Sequence, residues 1–222
     1  MSFDLIIFDC DGTLVDSEYL CNGVIADMMA EAGLPQYDAD YNMTNFAGLS
    51  APIAFERVAE ETGKVFPSDI VETYARRVNE SMADGLRLIA GVPETLAQFQ
   101  GIYDMCVGSN GERSTVLLSL QHAGLGGFFS DDVVFTKEMV KSPKPAPDLY
   151  FMAAQEMGAD PARTLVVEDS AAGVKAGKAA GMQVIGMTAA YHDKGAHGVV
   201  LRAAGADEVT DRFIHIPDLM GL

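Results

Sequence analysis

The chain has 222 residues, enough for one sizeable hydrophobic core or for a core with a small accessory domain. About half of it is apolar, as in ordinary soluble proteins, yet no apolar run approaches the ~18 residues that a membrane span needs. Acidic residues outnumber basic ones 32 to 15, and the formal net charge of −17 repels nucleic acid and anionic membrane surfaces.

An acidic protein that acts on an anion needs local positive charge in its site, from Lys, Arg or a metal. Histidine-bound transition metal is not expected, because His122, His192, His197 and His215 form no HxxxH or HExxH pattern. Cys10, Cys21 and Cys106 have no paired spacing, so neither a zinc site nor a redox CxxC is expected. The segment Met1–Asp9 lacks the basic leader and long apolar stretch of a signal peptide, and a cytoplasmic location is expected.

The first short apolar run, Leu5–Phe8, has the length of a buried strand. From Ser17 to Ala83 only helical patterns occur. Leu20, Val24 and Met28 share one face, Phe55, Val58, Ala59 and Thr62 another, and Val71, Tyr74, Val78 and Met82 a third. Gly33-Leu34-Pro35, Gly48 and Gly63 punctuate these patterns. Strand-like runs return at Met105–Val107, Val133–Phe135, Leu165–Val167 and Val184–Met187. Between them lie helical patterns at 93–100, 112–123, 147–157 and 170–180; the last three stop at Gly124, Gly158 and Gly181. Alternating strands and helices predict an α/β fold, a Rossmann-like parallel sheet flanked by helices. The expected core covers 1–16 and 84–222. Residues 17–83 are expected to form an inserted helical cap, a candidate lid.

Ligands of open parallel sheets bind beyond the carboxyl ends of the strands. The first strand is followed there by Asp9-Cys10-Asp11-Gly12-Thr13, the second by Ser109-Asn110-Gly111 and the fourth by Glu168-Asp169-Ser170. Lys141-Ser142-Pro143-Lys144-Pro145 precedes the helix that leads to the fourth strand. Singly, each has an ordinary reading: a turn, an exposed loop lysine, a helix N-cap. As an ordered set they are specific. Several carboxylates in one crevice repel unless a cation intervenes, and oxygen ligands without His or Cys favour Mg2+. A carboxylate can attack phosphorus. Asp9 is then the nucleophile, Asp11 the acid and base, and Lys144 with Mg2+ the counter-charge for the phosphoryl oxygens. The Ser109 hydroxyl and nearby backbone N–H groups hold phosphate, and Gly12 permits the sharp turn. Cys10, among acidic neighbours, is a small packed residue with no reactive role.

These residues resemble a known family. Asp9-Cys10-Asp11-Gly12-Thr13-Leu14-Val15-Asp16-Ser17 is similar to the first motif of the haloacid dehalogenase-like (HAD) hydrolases. Ser109-Asn110, Lys144 with Pro145-Ala146-Pro147-Asp148, and Glu168-Asp169-Ser170 resemble the second, third and fourth motifs. The resemblance runs nearly the whole chain and includes a helical cap after the first strand. It is strongest to the branch of beta-phosphoglucomutases, phosphoglycolate phosphatases and sugar-phosphate phosphatases, and the first motif looks especially like that of 6-phosphogluconate phosphatases.

The resemblance implies that Asp9 is nucleophile and metal ligand, that Asp11 also binds metal through its backbone carbonyl, and that Asp169 binds metal directly. Glu168 would ligate or support it. Gly12, Thr13, Ser109, Asn110 and Lys144 form the implied phosphate-binding set. The expected partner is a small phosphorylated metabolite, with neither nucleic acid nor membrane involved. The expected activity is a Mg2+-dependent phosphatase acting through an aspartyl phosphate. Asp11 argues against dehalogenase or phosphonate chemistry, whose family members lack that acid. A mutase must hold a second phosphate, and Asn45-Phe46-Ala47-Gly48-Leu49-Ser50-Ala51, the cap loop, carries no Lys or Arg. Leu20 and Cys21 stand where mutases carry a cap His. Phosphatase is therefore preferred to mutase, and both to a receiver-like phospho-acceptor module, which needs neither leaving-group acid nor lid. Asn45, Ala47, Gly48 and Ser50 are the candidate substrate-selecting residues. Arg57, Lys64, Arg76 and Arg77 are read as solvated helix faces that offer at most a second anion contact.

Overall fold

The computed structural model describes residues 3–46, 49–83 and 85–221. The chain divides into two compact units, Met1–Asp16 with Arg87–Leu222 and the intervening Ser17–Leu86. The division after Leu86 falls slightly later than the boundary expected after residue 83.

The intervening unit is helical and, among its described residues, contains no strand: α1 (Ser17–Glu31), α2 (Ala39–Asn45), α3 (Ala51–Thr62) and α4 (Ile70–Ala83). Asp38 caps α2 by accepting from the Tyr41 N–H at 2.8 Å. Pro52 sits in the first turn of α3, and Gly63 closes it in the left-handed conformation. Val24, Met28, Phe55, Val58, Val78 and Met82 pack together in a separate core, so most of each helical face read from the sequence is buried, whereas Thr62 is exposed.

The larger unit is a six-stranded sheet, all parallel, built from β1 (Leu5–Phe8), β2 (Asp104–Ser109), β3 (Val134–Thr136), β4 (Thr164–Glu168), β5 (Gln183–Met187) and β6 (Glu208–Thr210). The strand order is β3-β2-β1-β4-β5-β6. Helices α5 (Val92–Phe99), α6 (Arg113–His122), α7 (Asp148–Glu156), α8 (Ala171–Ala179), α9 (Lys194–Ala204) and α10 (Ile216–Met220) complete it. Every residue of β1 is fully buried, as a central parallel strand covered on both faces must be. Leu5 and Ile7 join Leu149, Tyr150 and Val174 on one side. On the other, the Phe8 ring lies 6.0 Å from Phe129 and 5.9 Å from Phe213.

The expected Rossmann-like parallel sheet is present. Among the elements with no counterpart in the sequence reading are β6, α9 and α10. β6 is a three-residue edge strand that begins with an exposed Glu208. Gly195 and Gly198 lower the helix propensity of α9, and α10 is little more than one turn. No described helix is long and apolar enough to cross a membrane.

Candidate active site

β1 leads to β2 on one side of the sheet, whereas β4 and β5 continue on the other. The order therefore reverses between β1 and β4, and ligands of such sheets bind beyond the carboxyl ends at this point. Phe8 pairs with Val167, so the next residues, Asp9 and Glu168, emerge side by side. The Asp9 N–H donates to the Val167 carbonyl at 2.9 Å and keeps that register one residue past the strand.

Lys144 enters from the loop before α7, and a cis peptide bond joins it to Pro145. Asn110 holds its main chain through both ends of the side-chain amide: Nδ2 donates to the Lys144 carbonyl at 3.0 Å, and Oδ1 accepts from its N–H at 3.1 Å. The buried ammonium donates to Asp9 Oδ1 at 2.6 Å and to Glu168 Oε2 at 2.7 Å. It also lies 4.8 Å from the centre of the Tyr150 ring, whose hydroxyl donates to the same Glu168 oxygen at 2.6 Å. Glu168 Oε1 accepts from the Ser170 N–H at 2.9 Å and the Ser170 hydroxyl at 2.8 Å. Both oxygens of Glu168 are thus doubly hydrogen-bonded, which leaves this carboxylate little capacity for a metal.

Asp169 lies beside Asp9 and Glu168. A Cβ added at Gly12 would lie 2.1 Å from its Oδ2, and Gly12 has φ +77°, so the turn after Asp11 requires glycine on both counts. Gly12→Ala is expected to cost about 1–3 kcal/mol of stability from backbone strain alone and to displace Asp169. Urea unfolding and a divalent-ion titration check the two effects. Tyr191 donates to Asp169 Oδ2 at 3.0 Å, and His197 Nε2 lies 2.6 Å from the Asp169 carbonyl oxygen.

Asp9, Glu168 and Asp169 offer oxygens within 4.8 Å of one another, all buried. Burial, then the charge of Glu168, raises the Asp9 carboxyl from 3.8 to about 8. Burial, Glu168 and Asp9 push Asp169 well above the usual carboxylate range. Burial also acts against ionised Glu168, but Lys144, with Tyr150 and Ser170, more than offsets it and holds this carboxyl low. Burial alone would lower Lys144; Asp9 and Glu168 reverse that and keep its ammonium well above the ordinary value. With all three carboxylates ionised, one ammonium leaves two negative charges unbalanced, which matches one divalent cation. Burial, then Asp11, drives the Cys10 thiol well above its usual value, consistent with a packed, unreactive cysteine.

Ser109 is buried at the end of β2, and its Oγ accepts from the Gly111 N–H at 3.0 Å, leaving the hydroxyl proton to donate elsewhere. A Cβ built at Gly111 would lie 3.3 Å from Ser109 Oγ and 3.8 Å from Asp11 Oδ2, so these two side chains flank one small residue. The Thr13 hydroxyl is buried and has no hydrogen-bond partner among the described residues. The Asn110 side chain is committed to the Lys144 main chain.

Ala47 and Gly48 lie outside the described residues. Asn45 ends α2 with its side chain donating to the Tyr41 carbonyl at 2.9 Å, and Ser50 precedes α3 without a side-chain capping bond. Arg57 donates to the Asn45 carbonyl at 3.3 Å and sits 5.8 Å from the Phe46 ring centre. Arg76 pairs with Glu80, Arg77 with Glu31, and Lys64 donates to the Ala32 carbonyl. These cations are occupied within their own unit. Tyr150, Tyr191 and His197 were not anticipated. Tyr150 lies on the helix after Lys144, and nothing in the local sequence marks it as a partner of Glu168.

The chain matches the model of the haloacid dehalogenase-like hydrolase family over residues 6–187. It is a haloacid dehalogenase-like hydrolase. The 6-phosphogluconate phosphatase of Escherichia coli is 31% identical over 192 residues, 86% of this chain and 85% of that protein. The phosphoglycolate phosphatase of Haemophilus influenzae is 30% identical over 98% of each chain. A HAD family hydrolase from Deinococcus radiodurans, solved with bound phosphate and sodium, superimposes with a TM-score of 0.86 at 31% identity, covering 99% of this chain and 95% of that one. This HAD hydrolase therefore shares its fold and most of its length with enzymes named as phosphatases.

Proposed function

We propose that the protein is a Mg2+-dependent phosphatase of a sugar phosphate or sugar-acid phosphate, working through an aspartyl phosphate on Asp9. The observation that carries this reading is the buried set of Asp9, Lys144, Glu168 and Asp169 at the switch point between β1 and β4. The activities in the relatives' names support the substrate class, and the phosphate bound by the Deinococcus protein supports an anion site in this fold.

Asp9 and Asp169, with the Asp11 backbone carbonyl, would hold the ion. Bound there, Mg2+ supplies charge neutralisation for the phosphoryl oxygens. Glu168, with both oxygens hydrogen-bonded, acts by holding Lys144. The Lys144 ammonium spends two of its three protons on Asp9 and Glu168 and offers the third to a phosphoryl oxygen. The Ser109 hydroxyl donates to another.

An Asp9 oxygen forms a bond to phosphorus as the ester P–O bond breaks, and Asp11 gives its proton to the departing alcohol oxygen. Asp11 then takes a proton from water, which attacks the same phosphorus; the Asp9–phosphorus bond breaks, releasing inorganic phosphate and restoring Asp9. Asp11→Asn is expected to lower kcat about 10²–10⁴-fold while Mg2+ still binds, as read by steady-state kinetics and calorimetry.

The 45–51 segment carries no Lys or Arg, and Arg57, Lys64, Arg76 and Arg77 are partnered within the helical unit, which favours phosphatase over mutase. The test is inorganic phosphate release from 6-phosphogluconate, hexose and pentose phosphates, glycerol phosphates and phosphoglycolate, each with Mg2+ and with excess EDTA. EDTA-sensitive release from one or a few is expected. No release, with beta-glucose 1-phosphate isomerised when primed by a bisphosphate, would replace this reading with the mutase.

A further inference from the structure

Asp169 is held from behind by two side chains to which the reaction assigns no step. Tyr191, in the loop after β5, donates its hydroxyl to Oδ2 at 3.0 Å. His197, in the first turn of α9, reaches the Asp169 carbonyl oxygen at 2.6 Å; a carbonyl only accepts, so Nε2 is the protonated nitrogen. The two rings stack, with centroids 3.4 Å apart and planes within 10°, so each donor steadies the other. Asp193 caps α9 by accepting from the Ala196 N–H at 2.8 Å, which fixes the turn that carries His197.

This arrangement limits how Asp169 can ligate. Oδ2 lies against Gly12 and under the Tyr191 hydroxyl, which leaves Oδ1 as the oxygen free to face an ion. The bond from His197 fixes the main chain at Asp169, and the bond from Tyr191 holds Oδ2 of its carboxylate. Ca2+ takes six to eight oxygens and commonly draws two from one carboxylate, whereas Mg2+ takes six at short range, one per carboxylate, and keeps its waters. The neighbouring Glu168 cannot make up the difference, since its oxygens are already engaged.

We infer that Tyr191 and His197 restrict Asp169 to one-oxygen ligation and so set the site's preference for Mg2+ over Ca2+. Both are positioning residues. The inference rests on the reading that Asp169 holds a divalent cation.

The test is calorimetric titration of Mg2+ and of Ca2+ into the full-length, EDTA-stripped protein, with no substrate present. Tyr191→Phe, which keeps the ring and its stacking, is expected to weaken Mg2+ about tenfold, in the range typical of residues that orient metal ligands. Ca2+ affinity should hold or rise, so the ratio of Ca2+ to Mg2+ dissociation constants falls about tenfold. His197→Ala should lower the ratio as well, and His197→Gln, which retains an N–H donor, should restore most of it. His197→Ala also supplies an independent reading should Tyr191→Phe fold poorly. An unchanged ratio in both Tyr191→Phe and His197→Ala, including an equal loss of both ions, overturns the inference and leaves the metal reading standing. A wild-type protein that binds neither ion overturns the metal reading and the inference with it.

Discussion

Asp9→Asn is expected to lower kcat on the order of 10⁴-fold or more with the fold intact, because an amide of the same shape keeps the packing and loses the nucleophile. Asn Oδ1 can still accept from Lys144, so the site should not rearrange. The same substitution has a second consequence for stability. The folded protein holds the Asp9 proton up to about pH 8, whereas the unfolded chain releases it near 3.8. Between those values the folded state binds the extra proton, so metal-free wild-type protein loses stability as pH rises through that window. Asp9→Asn removes this contribution and should show a shallower decline, and Mg2+ should flatten the wild-type curve. Urea unfolding of both proteins below about pH 5 and above about pH 8 checks the sign. Equal slopes for the two proteins would contradict it.

The largest stability loss is expected from Lys144→Met. The lysine stem is replaced in volume, but Asp9 and Glu168 lose the ammonium that bridges them. Removing one partner of a buried ion pair typically costs about 3–5 kcal/mol, since the remaining charges stay desolvated. Here Glu168 keeps a buried charge that only the Tyr150 hydroxyl and Ser170 still address, while Asp9 Oδ1 loses its donor. Mg2+ should recover part of the loss by replacing the missing charge. The phosphoryl contact goes too, and kcat should fall about 10²–10³-fold. Denaturant unfolding with and without Mg2+ separates the two effects. A metal-free cost below about 1 kcal/mol would mean that the pair contributes no more than a surface ion pair does.

The centre of the fold is legible in the sequence for a physical reason. Strands buried on both faces, such as Leu5–Phe8 and Leu165–Val167, must be continuously apolar, and the residues just after them must lie at the sheet's carboxyl edge. The register that sets Asp9 beside Glu168 comes from that pairing. The periphery is less legible. β6 has three residues and an exposed Glu208, and α9 carries glycines where a helix would carry alanine; tertiary packing decides both.

The site divides in the same way. Motif residues near strand ends could be named from local sequence, whereas the partners that orient them come from distant positions. Tyr150 reaches Glu168 across 18 residues, Tyr191 reaches Asp169 across 22 and His197 across 28, and no spacing rule joins such pairs. Asn110 shows the converse: a residue placed in the phosphate-binding set whose side chain the fold spends on the Lys144 main chain. That both Glu168 oxygens would be hydrogen-bonded twice was equally out of reach, because the donors come from α7, from the loop before it and from Ser170.

The central claim is a covalent phosphoryl group on Asp9. The most direct measurement is an acid quench of the wild-type enzyme during turnover of its best substrate, then peptide mass spectrometry of the N-terminal region. The account predicts one added phosphoryl group, located on Asp9, present with Mg2+ and substrate, absent with EDTA and absent in Asp9→Asn. Phosphate release by the wild type with no modified Asp9, or with the phosphoryl group on another residue, would contradict it.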